Sequence, residues 1–372
     1  MIKYVIPDIH LDLNYRSIDR TEDIFKALDQ IRTEILQLPR GEAVTIIFLG
    51  DIFDHPNVSY SLICRFIDYL YSFPNDEYRR FYFRILKGNH DGEPDSRKGS
   101  PLQIIEVISE AKVIWEPQII KDELYIPYCT QDCLDAFYLK NIKDKNLKFE
   151  YTFTHIDIPE AIPGFEQQLS RGAPCIMPDW VKQVSNTVMS GHIHKPQHFE
   201  NVTIVGSLIA VDASEASDNK VYYKLCDNTI EGIPDSLLGQ PVIRLAPEAY
   251  PIESRLIIQY DFNFALPQNK LIFEQFLTFD FSRTPDSILI INIICPHNIA
   301  HEFDQFKIKE VLRKKCKHLL FDFKIVKERS FRMKELNKNL PDRDITANYI
   351  TAMNLSDKDE IMNTLDKEIF NG

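Results

Sequence analysis

No stretch of this chain approaches the roughly 20 consecutive apolar residues that a membrane-spanning helix needs, although hydrophobic residues make up 44% of it. A basic region followed by a signal-peptide core is missing as well: Met1-Ile2-Lys3-Tyr4-Val5-Ile6-Pro7 moves straight into a strand-like run. A cytoplasmic protein without a membrane partner is the expectation. Cysteine pairing is also lacking. The seven cysteines are scattered, and although Cys129 and Cys133 stand four apart, no second pair or nearby histidine completes a zinc set. Reduced, mostly buried thiols are expected. Internal repeats and low-complexity segments are absent. Nor is there an excess of positive charge. The formal net charge is −12, which argues against coating of nucleic acid by a basic face. It leaves a phosphodiester substrate open, because bound metal ions reverse the local sign.

What is present is organised. The 372 residues suffice for one large domain plus a smaller one, or for two ordinary domains. Five apolar or β-rich runs each end in polar, ligand-capable residues. Ile2–Ile6 leads into Asp8-Ile9-His10, Val44–Leu49 into Gly50-Asp51-Ile52-Phe53-Asp54, and Phe81–Leu86 into Gly88-Asn89-His90-Asp91. Tyr151–Thr154 leads into His155, and Thr187–Met189 into Gly191-His192-Ile193-His194. Ligands on loops at the carboxyl ends of buried strands are the pattern of layered α/β folds. Helical spacing falls between the runs, over Ser17–Leu38 (Ile24, Leu28, Ile31, Ile35, Leu38), Ser59–Phe73 and Pro101–Ala111. The apolar stripe of Ser59–Phe73 is wider than one core face requires, so deep burial and a dimer interface both remain open.

After the strand-like Val221–Leu225 the character changes. A Gly/Pro-punctuated stretch, 231–252, reads as a linker. Beyond it Leu256–Phe262, Lys270–Phe276, Ser287–Ile293, Asp304–Cys316 and Leu319–Val326 alternate strand and helix, which predicts a small α/β unit over 253–335. A charged tail, 336–372, carries a helical stretch from Asp357 to Phe370 and reads as a docking tail or a weakly packed end.

The ligand-bearing runs point to one chemistry. Phosphodiester cleavage brings an anionic nucleophile to an anionic phosphate, and two divalent metals about 3.5–4 Å apart answer that demand by generating hydroxide and neutralising charge. Such a site needs one carboxylate able to bridge both ions. Asp8 and His10 stand two apart and project to the same side of an extended strand end, as do His192 and His194. The expected assignment gives one ion Asp8, His10, Asp51 and His194, and the other Asp51, Asn89, His155 and His192. His90 follows a ligand directly, and protonation of the leaving oxygen is its natural role. Asp91 is placed to orient that ring, with Asp54 and His55 beside the ligands. His198, His297, His301 and His318 fit no set.

The ordered series Asp8-x-His10, Gly50-Asp51-x-x-Asp54, Gly88-Asn89-His90-Asp91, His155 and Gly191-His192-x-His194 closely resembles the calcineurin-like metallophosphoesterase superfamily over roughly residues 1–226. The resemblance implies a four-layer α/β/β/α sandwich over 1–230 with a smaller C-terminal α/β cap. It implies a dimetal site at one edge, usually holding manganese, with magnesium the alternative. Pro7 departs from the small residue usual there but removes no ligand. The protein-serine/threonine phosphatase branch places Arg-Gly after the second motif, where this chain reads Asp54-His55-Pro56. Gly206-Ser207 followed by Lys220-Val221-Tyr222-Tyr223 looks instead like the SbcD-type DNA-repair exonucleases of bacteria and large phages. That likeness implies a homodimeric nuclease, cutting duplex ends 3′ to 5′ and single strands internally. Its C-terminal segment would dock on an SbcC-type coiled-coil ATPase in the cytoplasm, the host's if phage-encoded. The competing expectation is a small-molecule phosphodiesterase or nucleotide pyrophosphatase with a cap-covered pocket. A non-enzymatic scaffold retaining the fold is the third.

Overall fold

The computed structural model describes residues 2–39, 41, 43–75, 80–162, 175–226, 247–278 and 286–326. Its organisation follows from the apolar runs. The first sheet takes β1 (Ile2–Ile6), β4 (Ala43–Phe48), β5 (Arg80–Leu86) and β6 (Lys112–Ile114) as parallel neighbours. On the other side of β1, β13 (Val221–Cys226) pairs antiparallel, and β14 (Glu248–Pro251) pairs antiparallel with β13. The second sheet repeats the plan. Here β8 (Glu123–Ile126), β9 (Phe149–Thr154), β10 (Ser185–Ser190) and β12 (Val202–Ile204) are parallel, with β7 (Gln118–Ile120) and β11 (Gln197–Phe199) as antiparallel edges. Near-continuous apolar strands such as β4 are what burial on both faces requires.

Three clusters order the packing. Val5, Ile47 and Leu86 of the first sheet meet Tyr125, Phe153 and Met189 of the second in one buried cluster. The other face of the first sheet packs on α1 (Thr21–Gln37), α2 (Tyr60–Tyr71) and α3 (Leu102–Ile108) through residues such as Leu28, Ile31, Phe66 and Ile105. The other face of the second sheet packs on α4 (Gln131–Asn141) and α5 (Asp179–Val184) through Leu134 and Val181. Helix starts follow capping chemistry: the Ser59 hydroxyl accepts from Leu62 N at 3.2 Å, and the Thr130 hydroxyl from Cys133 N at 3.3 Å. Away from the ligand loops, a buried ionic group joins the two sheets. Lys3 Nζ lies 3.2 Å from Glu123 Oε1, Arg84 hydrogen-bonds to Glu123 and Tyr125, and the Tyr125 hydroxyl donates to Glu123 at 2.7 Å.

The C-terminal residues alternate as expected: β15 (Ile257–Asn263), α6 (Pro267–Thr278), β16 (Ile288–Pro296), α7 (Gln305–Arg313) and β17 (His318–Val326), with the three strands parallel. Both helices pack on one face around Phe262, Phe273, Ile291 and Leu312. The opposite face sets Ile257, Ile288 and Ile290 against Tyr15 and Ala210. Tyr15 belongs to a small hairpin, β2 (Asn14–Tyr15) and β3 (Ile18–Asp19).

Two expectations change here. The stretch read as a linker contains β14, whose pairing with Val221–Lys224 extends the first sheet; its Gly/Pro punctuation concealed a short edge strand. The first helix begins at Thr21 rather than Ser17, because Ser17 sits in the hairpin turn with φ 69°. The tail 336–372, including Asp357–Phe370, lies outside the described residues. Among the described residues, no helix is long and apolar enough to cross a membrane.

Candidate metal centre

Parallel pairing brings the ligand loops together. β1, β4 and β5 end in register (Ile6 beside Phe48, Phe48 beside Ile85), as do β9 and β10 (Thr154 beside Ser190). The loops then interlock. Ile9 N and His10 N both donate to the Asp51 carbonyl, at 3.0 and 2.9 Å, and Leu208 N donates to the Asp8 carbonyl at 2.7 Å. His10, Asp51 and His192 take φ of 54°, 44° and 74°. Left-handed backbone at non-glycine residues costs on the order of 1–3 kcal/mol each and persists only where surroundings enforce it. Three of the expected ligands are held this way.

The close approach also explains two glycines. A Cβ on Gly88 would lie 2.1 Å from Asp51 Oδ1, and one on Gly191 would lie 2.3 Å from Asp8 Oδ1. Each glycine that precedes one ligand makes room for a carboxylate from another loop.

The structure brings all seven expected ligands and His90 to one place, in adjoining sets. Ligand atoms of Asp8, His10 and His194 lie within 4.8 Å of one another, as do those of Asp51, His155 and His192. His10 Nε2 and His194 Nε2 face each other at 3.0 Å. Asn89 Oδ1 lies 3.0 Å from His155 Nε2 and 2.9 Å from His192 Nδ1. Asp51 Oδ2 stands between the sets, 3.2 Å from His155 Nε2 and 3.9 Å from His10 Nε2.

Each of the four imidazoles has an oxygen on its far side, and three of them are hydrogen-bonded to it. His10 Nδ1 lies 3.2 Å from Asp54 Oδ1 as an ion-pair contact without hydrogen-bond geometry, while His194 Nδ1 is 3.0 Å from Glu215 Oε1. His155 Nδ1 is 2.8 Å from the Leu49 carbonyl, and His192 Nε2 is 2.8 Å from Asp157 Oδ1. In a neutral imidazole, an N–H donated outward leaves the inward nitrogen with its lone pair, which is how metal-binding histidines are held. Glu215 is itself fixed: its Oε2 accepts from Lys220 Nζ at 2.7 Å, from the Ser207 hydroxyl at 2.9 Å and from Val211 N at 3.1 Å.

The protonation balance matches a site built for cations. Burial pushes the Asp51 carboxyl up, but the imidazoles of His155, His90 and His10 outweigh it and hold it well below the usual range. Burial pulls the His155 imidazolium down, yet Asp51 and Asp8 lift it to about 9. Burial raises Asp8, more than the surrounding imidazoles lower it. Burial of Glu215 is overcome by His194 and Lys220, so its carboxyl sits at about 2. Buried Asp8 Oδ1 has no hydrogen-bond partner among the described residues. An orphaned buried oxygen beside two inward-facing nitrogens fits a bound cation, and the mixed oxygen and nitrogen donors fit a hard or borderline divalent ion.

Two roles read from the sequence change. Asp91 does not orient His90. Its buried carboxylate accepts from Gly88 N at 2.9 Å and Phe53 N at 3.2 Å, tying two ligand loops together, and burial with Asp51 nearby raises it to about 7. The His90 ring is held instead by the Asp54 carbonyl, 2.6 Å from Nδ1. His55 lies toward the rim, 3.4 Å from Asp12. Asp157 and Glu215 were missed. His155-x-Asp157 repeats the i, i+2 spacing of Asp8-x-His10, so that signal was available; Glu215 has none, being an isolated carboxylate 21 residues from its histidine.

Two parallel-cored sheets with clustered aspartates, an asparagine and imidazoles at their carboxyl edges define the class of a metal-dependent phosphoester hydrolase. Residues 4–196, just over half of the chain, match the sequence profile of the calcineurin-like phosphoesterases. The chain belongs to that family. No curated protein matches it.

Proposed function

We propose that the chain is a metal-dependent phosphodiesterase acting on DNA, the nuclease subunit of an SbcCD-like complex. The observation that carries the hydrolytic part is the set of four imidazoles around the shared Asp51, three of them hydrogen-bonded to an oxygen behind the ring and His10 standing beside Asp54. Asp8, His10, Asp51 and His194 would hold one divalent ion and Asp51, Asn89, His155 and His192 the other, with manganese the expected metal. When bound, the ions supply charge neutralisation at the phosphate and an activated water.

His90 gives its proton to the leaving oxygen. It lines the cleft, its Nδ1 is committed to the Asp54 carbonyl, and Nε2 is the nitrogen left to exchange a proton. Burial opposes its charged form, but Asp51 prevails and raises its pKa, which favours the protonated acid. The three core clusters support a four-layer α/β/β/α body over 1–230, with 253–335 as a cap beside the cleft.

DNA as substrate rests on the likeness to SbcD-type exonucleases in Gly206-Ser207, in Lys220-Val221-Tyr222-Tyr223 and in the added C-terminal α/β unit. These residues lie beyond the matched region, and Ser207 and Lys220 hold the Glu215 carboxylate behind His194. A homodimer is supported by exposed Tyr60, Tyr71, Val107 and Ile108 on α2 and α3. The ATPase partner rests on the resemblance alone. The test is manganese-dependent degradation of end-labelled duplex DNA by the wild type and by His90→Ala. The wild type should cut and the variant should be severely slowed. Turnover of a nucleoside phosphodiester with no cutting of DNA would instead favour the small-molecule reading.

A further inference from the structure

The cleft in front of the centre encloses about 530 Å³, and Arg16 is the one lysine or arginine among the described residues lining it. Neighbouring carboxylates are engaged elsewhere: Asp12 with His55 at 3.4 Å, Asp212 with Ser214 N at 2.6 Å, and Glu215 with His194 and Lys220. The guanidinium lies over the Tyr15 ring, 5.6 Å from its centroid, and the residue is exposed at the cleft.

The turn that presents Arg16 is strained. Tyr15 pairs with Ile18, so Arg16 and Ser17 form a two-residue hairpin loop, with φ of 47° and 69°. Positive φ at both central positions marks a type I′ turn, which strongly prefers Asn-Gly. Arginine followed by serine is disfavoured there on backbone grounds, and such outliers persist where the surroundings over-determine them. The surroundings do so: Tyr15 is buried against Ala210 and the cap residues Ile257, Ile288 and Ile290. Asn14 Nδ2 also donates to the Asp12 carbonyl at 3.0 Å.

We infer that Arg16 grips a substrate phosphate adjacent to the one being cleaved, so that the cleft selects molecules carrying more than one phosphate, as a nucleic acid strand does. A guanidinium fork matches two phosphate oxygens at once. This inference rests on the phosphodiesterase reading above and extends it to substrate selection.

The experiment compares kcat/KM for a short DNA oligonucleotide with that for bis-p-nitrophenyl phosphate, which has a single phosphate, using manganese-loaded wild type, Arg16→Gly and Arg16→Lys. Glycine suits positive φ, so Arg16→Gly removes the charge while keeping the turn. In Arg16→Gly the oligonucleotide-to-diester ratio should fall about tenfold or more, chiefly through KM. The slope of log binding against log salt should fall by about one, as for a lost phosphate contact. Arg16→Lys should restore the salt slope and part of the ratio. An unchanged ratio and slope in Arg16→Gly, with both substrates turned over by the wild type, would overturn the inference and leave the phosphodiesterase reading intact. Equal losses on both substrates with a lowered melting temperature would overturn it in favour of a structural turn. Failure of the wild type on both substrates would sink the reading beneath it as well.

Discussion

The two corners of the centre are built differently. At the first, His10 and His194 are 1% and 12% exposed, and the carboxylates behind them, Asp54 and Glu215, are 28% and 5% exposed. At the second, His155 is fully buried against a backbone carbonyl, but His192 and its Asp157 are 19% and 38% exposed. Water competes for a carboxylate exposed by more than a third, so Asp157 orients His192 more weakly than Glu215 orients His194. The first corner should therefore hold its ion more tightly, and the second should exchange its ion more readily.

Substituting the shared residue should remove the distinction altogether. Asp51→Asn should lose metal at both corners and cost more activity than the about 10–100-fold typical of an outer partner's loss, with metal content and turnover measured together. Glu215→Gln should weaken the tighter site by about 10–100-fold, read as a change in the first phase of a manganese titration. If only the weak phase moved, the assignment of His194 to the first corner would be wrong.

The pH dependence sharpens the comparison. His155 is raised from 6.5 to about 9, so below that pH the metal-free protein holds a proton there that metal must displace. Through His155 alone, affinity at the second corner should climb by about tenfold per pH unit and level off above about 9. Calorimetry in buffers of different ionisation enthalpy would count the proton released. The smallest effect belongs to Asp157→Asn, a few-fold loss confined to the weaker phase. A loss as large as that of Glu215→Gln would erase the proposed asymmetry.

Much of this was legible in the sequence because strands buried on both faces are written as apolar runs, and their ligands follow within a few residues. The C-terminal alternation was legible for the same reason. The short strands β7, β11, β12 and β14 were not, since three or four residues carry too little periodicity to stand out. The carboxylates behind the histidines are tertiary features. Asp91 sits beside His90 in the chain yet serves the backbone of Gly88 and Phe53, and Glu215 reaches His194 only because Lys220 and Ser207 hold it there. Adjacency misled in one case and distance concealed in the other.

The buried group of Lys3, Glu123, Arg84 and Tyr125 has a consequence for assembly. It rivets the two sheets together through protein charges alone, so their carboxyl edges face each other before any ion arrives. Loading then has no sheets to bring together and acts as a second rivet at the ligand end. A chelated sample should remain folded with a lower melting temperature. Glu123→Gln, which leaves Lys3 and Arg84 without their counter-charge at a cost of about 3–5 kcal/mol, should make the fold lean on its metals.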